Sequence, residues 1–299
     1  MRAFVTGASG FVGPWLVAHL RASGDEVVTP EVEVTDPELV RDAVAEAQPD
    51  AVYHLAAIAN VGESWGSPQR TFAVNATGTL NVLEAARALP TAPTVLLVCS
   101  AEVYGRVAPD ELPLTEESPL RPLSPYAASK VAAEYLGVQA YLGYGVPVIR
   151  ARAFNHIGPG QAPTFVVSSL ARQVAEAELR GGGVIDAGNL SARRDFTDVR
   201  DVVRAYRLLV ERGSPGEAYN VCSGEAVAVE DVARRLGELA GVAIEVRVDP
   251  DRVRAVEVPE LRGDPAKLVR ATGWARERTL DQTLLDVLAA WRAELARAG

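Results

Sequence analysis

Lysine is almost missing from this 299-residue chain: Lys130 and Lys267 are the only two, and arginine supplies the other 28 basic residues. Cysteine is as scarce. Cys99 and Cys222 both sit in apolar surroundings that read as buried strands, which argues against a disulfide framework and fits a reducing cytoplasm. The three histidines, His19, His54 and His156, fall in unrelated segments, so no metal-ligand cluster is visible and no metal is expected. No apolar run reaches the roughly 20 residues that cross a bilayer. The N-terminus has no cationic, apolar leader form, so a membrane role is not expected. A net charge of −9 argues against nucleic acid as the main partner. Repeats and low-complexity tracts are absent as well.

Apolar residues make up 48% of the chain, enough for a sizeable core. Strand-like runs near Phe4, Val27, Val52, Val95 and Val148 alternate with helix-like runs near 11–23, 37–47, 69–88 and 125–143. That order predicts an α/β fold, a doubly wound parallel sheet with helices on both faces. After residue 152 the pattern loosens. Helices are expected at 164–180, 199–212, 228–240 and 279–297, and short strands near Val184, Tyr219 and Val246. The expected division is a dinucleotide-binding domain over 1–152. A smaller substrate-binding lobe follows over 153–299, with some elements returning to the main sheet and a cleft between the two parts.

Two local patterns carry chemistry. The first follows the opening strand Arg2-Ala3-Phe4-Val5-Thr6. It reads Gly7-Ala8-Ser9-Gly10-Phe11-Val12-Gly13 and runs into the helical spacing of Trp15, Leu16 and Leu20. Strand, glycine turn and helix open a dinucleotide-binding βαβ unit. Gly7 permits the tight turn, Gly10 lets backbone approach a pyrophosphate, and Gly13 lets the helix pack on the strand. The helix N-terminus offers N–H groups to the phosphates. The second pattern is Tyr126-Ala127-Ala128-Ser129-Lys130, one of the two lysines placed one helical turn after a tyrosine. An ammonium there would lower a phenol pKa that starts near ~10 and make it a proton donor and acceptor near neutrality. The same spacing also suits an ordinary exposed helix pair, so its companions decide.

Together, the glycine spacing and Tyr126-x-x-x-Lys130 resemble the short-chain dehydrogenase/reductase superfamily, in its extended, nucleotide-sugar-modifying branch. The resemblance runs from Arg2 to about Trp291. It implies a Rossmann-type fold with NAD(P)H bound at Gly7, Ser9, Gly10, Phe11, Val12 and Gly13. Leu55, Ala56 and Ala57 would lie beside the cofactor, and Asp36 would touch the adenine edge. Asn75 would reach the cofactor or position the supporting network. Ser100 would hydrogen-bond the substrate oxygen, Tyr126 would exchange its proton, and Lys130 would hold the nicotinamide ribose. Glu102 matches the base of sugar-nucleotide 4,6-dehydratases, but Ala101 stands where those enzymes keep a second polar group. Dehydration needs both a base and an acid, whereas carbonyl reduction needs only hydride, Ser100 and Tyr126. The pattern therefore favours a reductase.

On the substrate side the resemblance implies contacts from Asn155, Arg194, Arg254 and Glu257. An arginine fork suits a diphosphate. The run Phe154-Asn155-His156-Ile157-Gly158-Pro159-Gly160-Gln161 and the Arg194 segment look most like GDP-sugar enzymes, the reductases of GDP-6-deoxy-4-keto-mannose and the GDP-mannose 4,6-dehydratases. Val166 would then flank the guanine and Arg172 would contact the base. The expected reaction is reduction of the C4 keto group of GDP-4-keto-6-deoxymannose to GDP-rhamnose. The alternative is a nucleotide-sugar dehydratase or 4-epimerase. Residues 26–36 are short against the family, with no arginine after the second strand and with Glu31 and Glu33 to repel a 2′-phosphate, so NAD is slightly preferred. A homodimer through the helices near 69–88 and 125–143 follows by analogy.

Overall fold

Unbroken apolar runs such as Ala3-Phe4-Val5 and Val52-Tyr53 suit a sheet covered on both faces, and each of these residues is fully buried in the computed structural model of the chain. The structure describes residues 1–252, 256 and 258–298. In chain order the first half contains β1 (Arg2–Thr6), α1 (Val12–Ala22), β2 (Glu26–Val28), α2 (Pro37–Ala47), β3 (Ala51–His54), α3 (Val61–Gly66), α4 (Pro68–Phe72), α5 (Gly78–Arg87), β4 (Thr94–Ser100), α6 (Pro125–Tyr144) and β5 (Val148–Ala153). The second half contains β6 (Asn155–Ile157), α7 (Val166–Arg180), β7 (Gly183–Ala187), β8 (Arg193–Asp198), α8 (Val199–Arg212), β9 (Ala218–Val221), β10 (Ala226–Ala228), α9 (Val229–Ala240), β11 (Ile244–Val248), β12 (Glu260–Leu261), α10 (Ala266–Thr272) and α11 (Leu280–Ala298).

The main sheet has the order β2-β1-β3-β4-β5-β9, and all its pairings are parallel. Leu16 and Leu20 of α1 pack with Val202, Tyr206 and Leu209 of α8 on one face. Val40 and Val44 of α2, Val82 and Leu83 of α5 and Ala140 of α6 cover the other. A second core lies among α7, α9 and α11, around Leu170, Val174, Leu236, Leu284 and Leu288. It is attached through a small sheet in which β8 pairs with β6, β10 and β12. The chain re-enters the main sheet at β9, which pairs with β5.

Departures from the expected pattern have local causes. The predicted helix at 69–88 is interrupted by a wide π-type turn over residues 73–77, which separates α4 from α5. There the Asn75 side chain is buried and bonded to two other segments. After β2 the chain makes no further strand before α2. Val34 is buried, its main-chain oxygen accepts from Asn81 of α5, and Asp36 caps α2 by accepting from the N–H groups of Glu38 and Leu39. Strands β6, β8, β10 and β12 were not foreseen. Three of them are two or three residues long, and β8 reads Arg-Arg-Asp-Phe-Thr-Asp, whose charges mask its register.

Beneath the sheet's C-terminal edge lies a buried ion-pair network. Glu134 of α6 is fully buried, and Arg152 of β5 donates to it from Nε and Nη2, the latter at 2.6 Å. Arg150 donates to the same carboxylate at 3.0 Å. The remaining donors of Arg152 reach the Tyr104 hydroxyl and the Glu116 carbonyl, and Tyr104 donates onward to Asn220 of β9. Removing one charge from such a cluster strands the others without water. Glu134→Gln should therefore lower unfolding stability by about 3–5 kcal/mol, measured as a shift of the urea midpoint with unchanged slope. A loss below about 1 kcal/mol would show that solvent reaches the cluster.

Candidate active site

Strand order reverses at β1, since the chain steps outward from β1 to β2 and then crosses back to β3 on the other side, so the C-terminal ends of β1 and β3 border a crevice where an open parallel sheet binds ligands. A single cleft runs from this crevice across the ends of β4 and β5 to the start of α7. Of the residues expected to hold a cofactor, Gly7, Gly10, Phe11, Val12, Gly13, Leu55 and Ala57 line it. Ser100, Glu102, Tyr126 and Lys130 line its centre, and Asn155 and Val166 its far side. The sequence reading passed over several other lining residues, among them Asn60, His156, Gln161 and Phe165. The signal for the last three was present, because they flank Asn155 and Val166 in the chain.

The glycine turn is set by close approach. Gly7 has φ +68°, and a Cβ there would stand 2.7 Å from the Ala56 nitrogen. A Cβ on Gly13 would stand 2.1 Å from the Ala8 carbonyl oxygen. Gly13 thus packs the helix against the turn itself, where the sequence reading had it pack on the strand. Gly10 differs, since only the Gly7 oxygen, at 3.4 Å, lies near its missing side chain. The turn therefore keeps an open outer face. Helix α1 begins at Val12, after Phe11 in the cap position, with no side chain capping its first N–H groups. Ser9 is exposed on the turn and Ala56 supports it from below.

A chain of hydrogen bonds holds this region together. Ala56 N–H donates to Thr6 Oγ1, whose hydroxyl pairs with His54 Nδ1 at 2.8 Å. His54 Nε2 pairs with Thr79 Oγ1 at 3.0 Å, and that hydroxyl donates to the Asn75 carbonyl. Both hydroxyl protons are then assigned, which places the imidazole proton on Nε2. Burial pushes the His54 pKa down to about 3, so the ring stays neutral. Asn75 continues the chain. Its amide oxygen accepts from Ile58 N–H, and its amide nitrogen donates to the Ile58 carbonyl and to Ser129 Oγ. Both amide hydrogens are used inside the protein, so Asn75 ties loop to helix and does not reach the cleft. The Asp36 carboxylate likewise faces its own helix.

At the centre, Ser100 ends β4 and accepts from Glu102 N–H. Ser124 caps α6 at Ala127 N–H, which starts the helix so that Tyr126 and Lys130 share one face. Lys130 Nζ donates to the Val98 carbonyl at 2.9 Å, and burial lowers its pKa. Burial pushes the Tyr126 phenol up to about 12; a hydrogen bond with Ser100 lowers it only in part, and the Glu102 carboxylate raises it further. Besides burial, the groups that shift the phenol are Ser100, Glu102 and Cys99, and Lys130 is not among them. The phenolate is poorly solvated here, and the Lys130 ammonium donates one of its three N–H groups to Val98, which leaves two for a ligand. The residues suit a nicotinamide dinucleotide, with an open glycine turn, uncapped helix N–H groups and a lysine inside the cleft. When bound, such a cofactor supplies hydride.

Two residues expected on the substrate side stand off the cleft wall. Arg172 is exposed on α7, pairs with Glu176 at 2.8 Å and lies over the Trp291 ring, away from the cleft. Its i,i+4 acid and the aromatic neighbour on α11 hold it there. Arg194 is buried, donates to the Arg193 and Val258 carbonyls, and is not part of the cleft wall, although Phe196, two residues along β8 and on the same side, is. Arg254 and Glu257 lie outside the described residues.

The family model described as GDP-mannose 4,6 dehydratase matches residues 29–287. A GDP-6-deoxy-D-mannose reductase of Pseudomonas aeruginosa is 41% identical, with 98% of each chain covered. The solved structure of RMD from Pseudomonas aeruginosa complexed with NADPH superposes with a TM-score of 0.90 at 40% identity over 98% of both chains. Thermus thermophilus UDP-glucose 4-epimerase, solved with NAD, gives 0.87 at 32% identity, covering 98% of this chain and 99% of that one. On the length of these matches and on the shared architecture, the chain belongs to the GDP-mannose 4,6 dehydratase family, within the extended short-chain dehydrogenase/reductase enzymes that act on nucleotide sugars.

Proposed function

We propose that this protein reduces the C4 keto group of GDP-4-keto-6-deoxymannose to give GDP-rhamnose, with NAD(P)H as hydride donor. The observation that carries the reading is the meeting of Ser100, Tyr126 and Lys130 in the one cleft that the glycine turn opens, with burial favouring the protonated form of the Tyr126 phenol. A carbonyl that accepts hydride must also accept a proton, and a phenol that keeps its proton is the acid for that step. Ser100 and Tyr126 hold the carbonyl oxygen, and Lys130 holds the nicotinamide ribose. Ala101 is buried in the cleft wall and offers no proton relay. The 41% identity to a GDP-6-deoxy-D-mannose reductase supports the choice of substrate. Asn155, Val166 and Phe165 form the sugar-nucleotide side, within the lobe that follows residue 152.

One observation favours a second reading. Glu102 lines the same cleft, as a base for a 4,6-dehydratase would. Dehydration and epimerisation both begin by oxidising C4, which needs an ionised tyrosine, and the burial of Tyr126 opposes that. The cofactor preference rests on Glu31 and Glu33, both exposed after β2, whose carboxylates disfavour a 2′-phosphate. We therefore assign NADH as a substrate at least as good as NADPH, although a similar structure carries NADPH. Exposed Tyr135 and Leu142, seven residues apart on one face of α6, and Phe72 on α4 offer the face for a homodimer.

The decisive measurement supplies the keto sugar with reduced cofactor. One cofactor oxidised per sugar consumed is expected, and turnover without net oxidation would favour the dehydratase or epimerase. Tyr126→Phe should reduce kcat by about 10²–10⁴-fold, while cofactor affinity from fluorescence titration stays within about twofold. The pH profile follows from the raised phenol pKa. The acid form persists below that value, so kcat for reduction should stay level from about pH 6 to about pH 9. A fall centred near pH 7 would contradict a protonated resting phenol.

A further inference from the structure

The first turn of α1 faces the cofactor half of the cleft, and the segment 155–161 forms part of its substrate half. Direct contacts join the two. The Phe11 and His156 rings stack with centroids 6.1 Å apart and planes 3° from parallel. One turn further along α1, Trp15 Nε1 donates to the Pro159 carbonyl at 3.3 Å. The Arg200 guanidinium lies over the Trp15 ring, 5.7 Å from its centroid. Arg200 is itself fixed by Asp198 at the end of β8 and by Asp286 of α11, at 2.7 and 2.6 Å. Space at this junction is tight, since a Cβ on Gly158 would come within 2.6 Å of Val199 Cγ1. Trp15 is not part of the cleft wall.

We propose that Trp15 is a positioning residue for hydride transfer. It fixes the 155–161 segment, and with it the sugar, against the helix turn that holds the cofactor. The indole N–H sets the height of Pro159, and the Arg200 cation over the ring sets the lateral place of the segment relative to β8 and α11. Hydride transfer is steep in donor–acceptor distance, and a misplacement of about 1 Å can cost about 10²-fold in rate. Loss of the tie loosens the sugar against the nicotinamide while the pyrophosphate turn keeps its own geometry. The inference rests on the reductase reading above.

The test compares wild type with Trp15→Phe, which removes the N–H and keeps a ring, and Trp15→Leu, which removes both. Wild type must first oxidise reduced cofactor with the keto sugar; if it does not, the reductase reading falls. Equilibrium titration of NADPH with and without GDP then measures directly whether the two halves are coupled. The expected kinetic result is a graded loss of kcat, about 5-fold for Trp15→Phe and about 50-fold for Trp15→Leu, with KM for NADPH within about twofold. The isotope effect with nicotinamide-C4-deuterated NADPH should rise in the same order, because hydride transfer becomes more rate-limiting. A variant that is merely less stable would lose active fraction without moving the isotope effect. Wild-type isotope effect and wild-type NADPH–GDP coupling in Trp15→Phe would overturn the proposal. Should Trp15→Leu not fold, Trp15→Phe and Arg200→Gln, which keeps the N–H and removes the cation, supply the same comparison.

Discussion

The ion pair between Glu134 and Arg152 fixes where α6 stands against the cleft. Tyr126, Lys130 and Glu134 are spaced four residues apart on α6 and therefore lie along one helix face. The first two open into the cleft, and the third is locked underneath by β5. A helix held at that depth cannot rotate or slide without tearing two guanidinium groups from their only buried carboxylate partner among the described residues. Arg152 spreads the constraint further, to Tyr104 in the loop after Ser100 and through it to Asn220 on β9. The strand that delivers the serine, the helix that delivers the tyrosine and the strand that returns from the second half share one polar anchor.

The cofactor half of the cleft is held by a different device, one that uses no formal charge. Thr6, His54, Thr79 and Asn75 pass hydrogen bonds from β1 through β3 to the π-type turn before α5, and Asn75 carries the line on to Ser129 in α6. A neutral chain is the economical solution beside a dinucleotide, because a buried cation or anion there would bias the site before any ligand arrived. The depressed pKa of His54 follows from the same requirement. The wide turn at 73–77 also acquires a purpose, since it faces Asn75 toward two partners at once.

Much of this was legible in the residues. The glycine turn, the Tyr126–Lys130 pair and the alternation of strands and helices announced a dinucleotide-binding sheet, and the limits of α2 and α8 agree with the spacing of their apolar residues. What escaped depends on contacts remote in the chain. Strand β8 is mostly charged, and it is a strand because β6, β10 and β12 flank it. Arg172 looked like a base contact from its place in a motif, yet Glu176 one turn along and Trp291 on a distant helix claim it. Asn75 was legible as important but not in its role, because its partners Ile58 and Ser129 lie 17 and 54 residues away. The motif marked the positions, while the direction of each side chain was set by burial.

The same distinction governs the tyrosine. Spacing alone argues that a lysine one turn away should acidify the phenol, because opposite charges attract across a short distance. That argument omits solvent. In a buried cleft a phenolate is poorly hydrated, and the carboxylate of Glu102 adds to the cost of forming it. The balance matters for function because oxidation and reduction of a sugar carbon ask opposite things of the same hydroxyl. Oxidation needs a base and reduction needs an acid. Around Tyr126, burial favours the protonated phenol, the form that reduction asks for, and the buried alanine at position 101 adds no second acid or base.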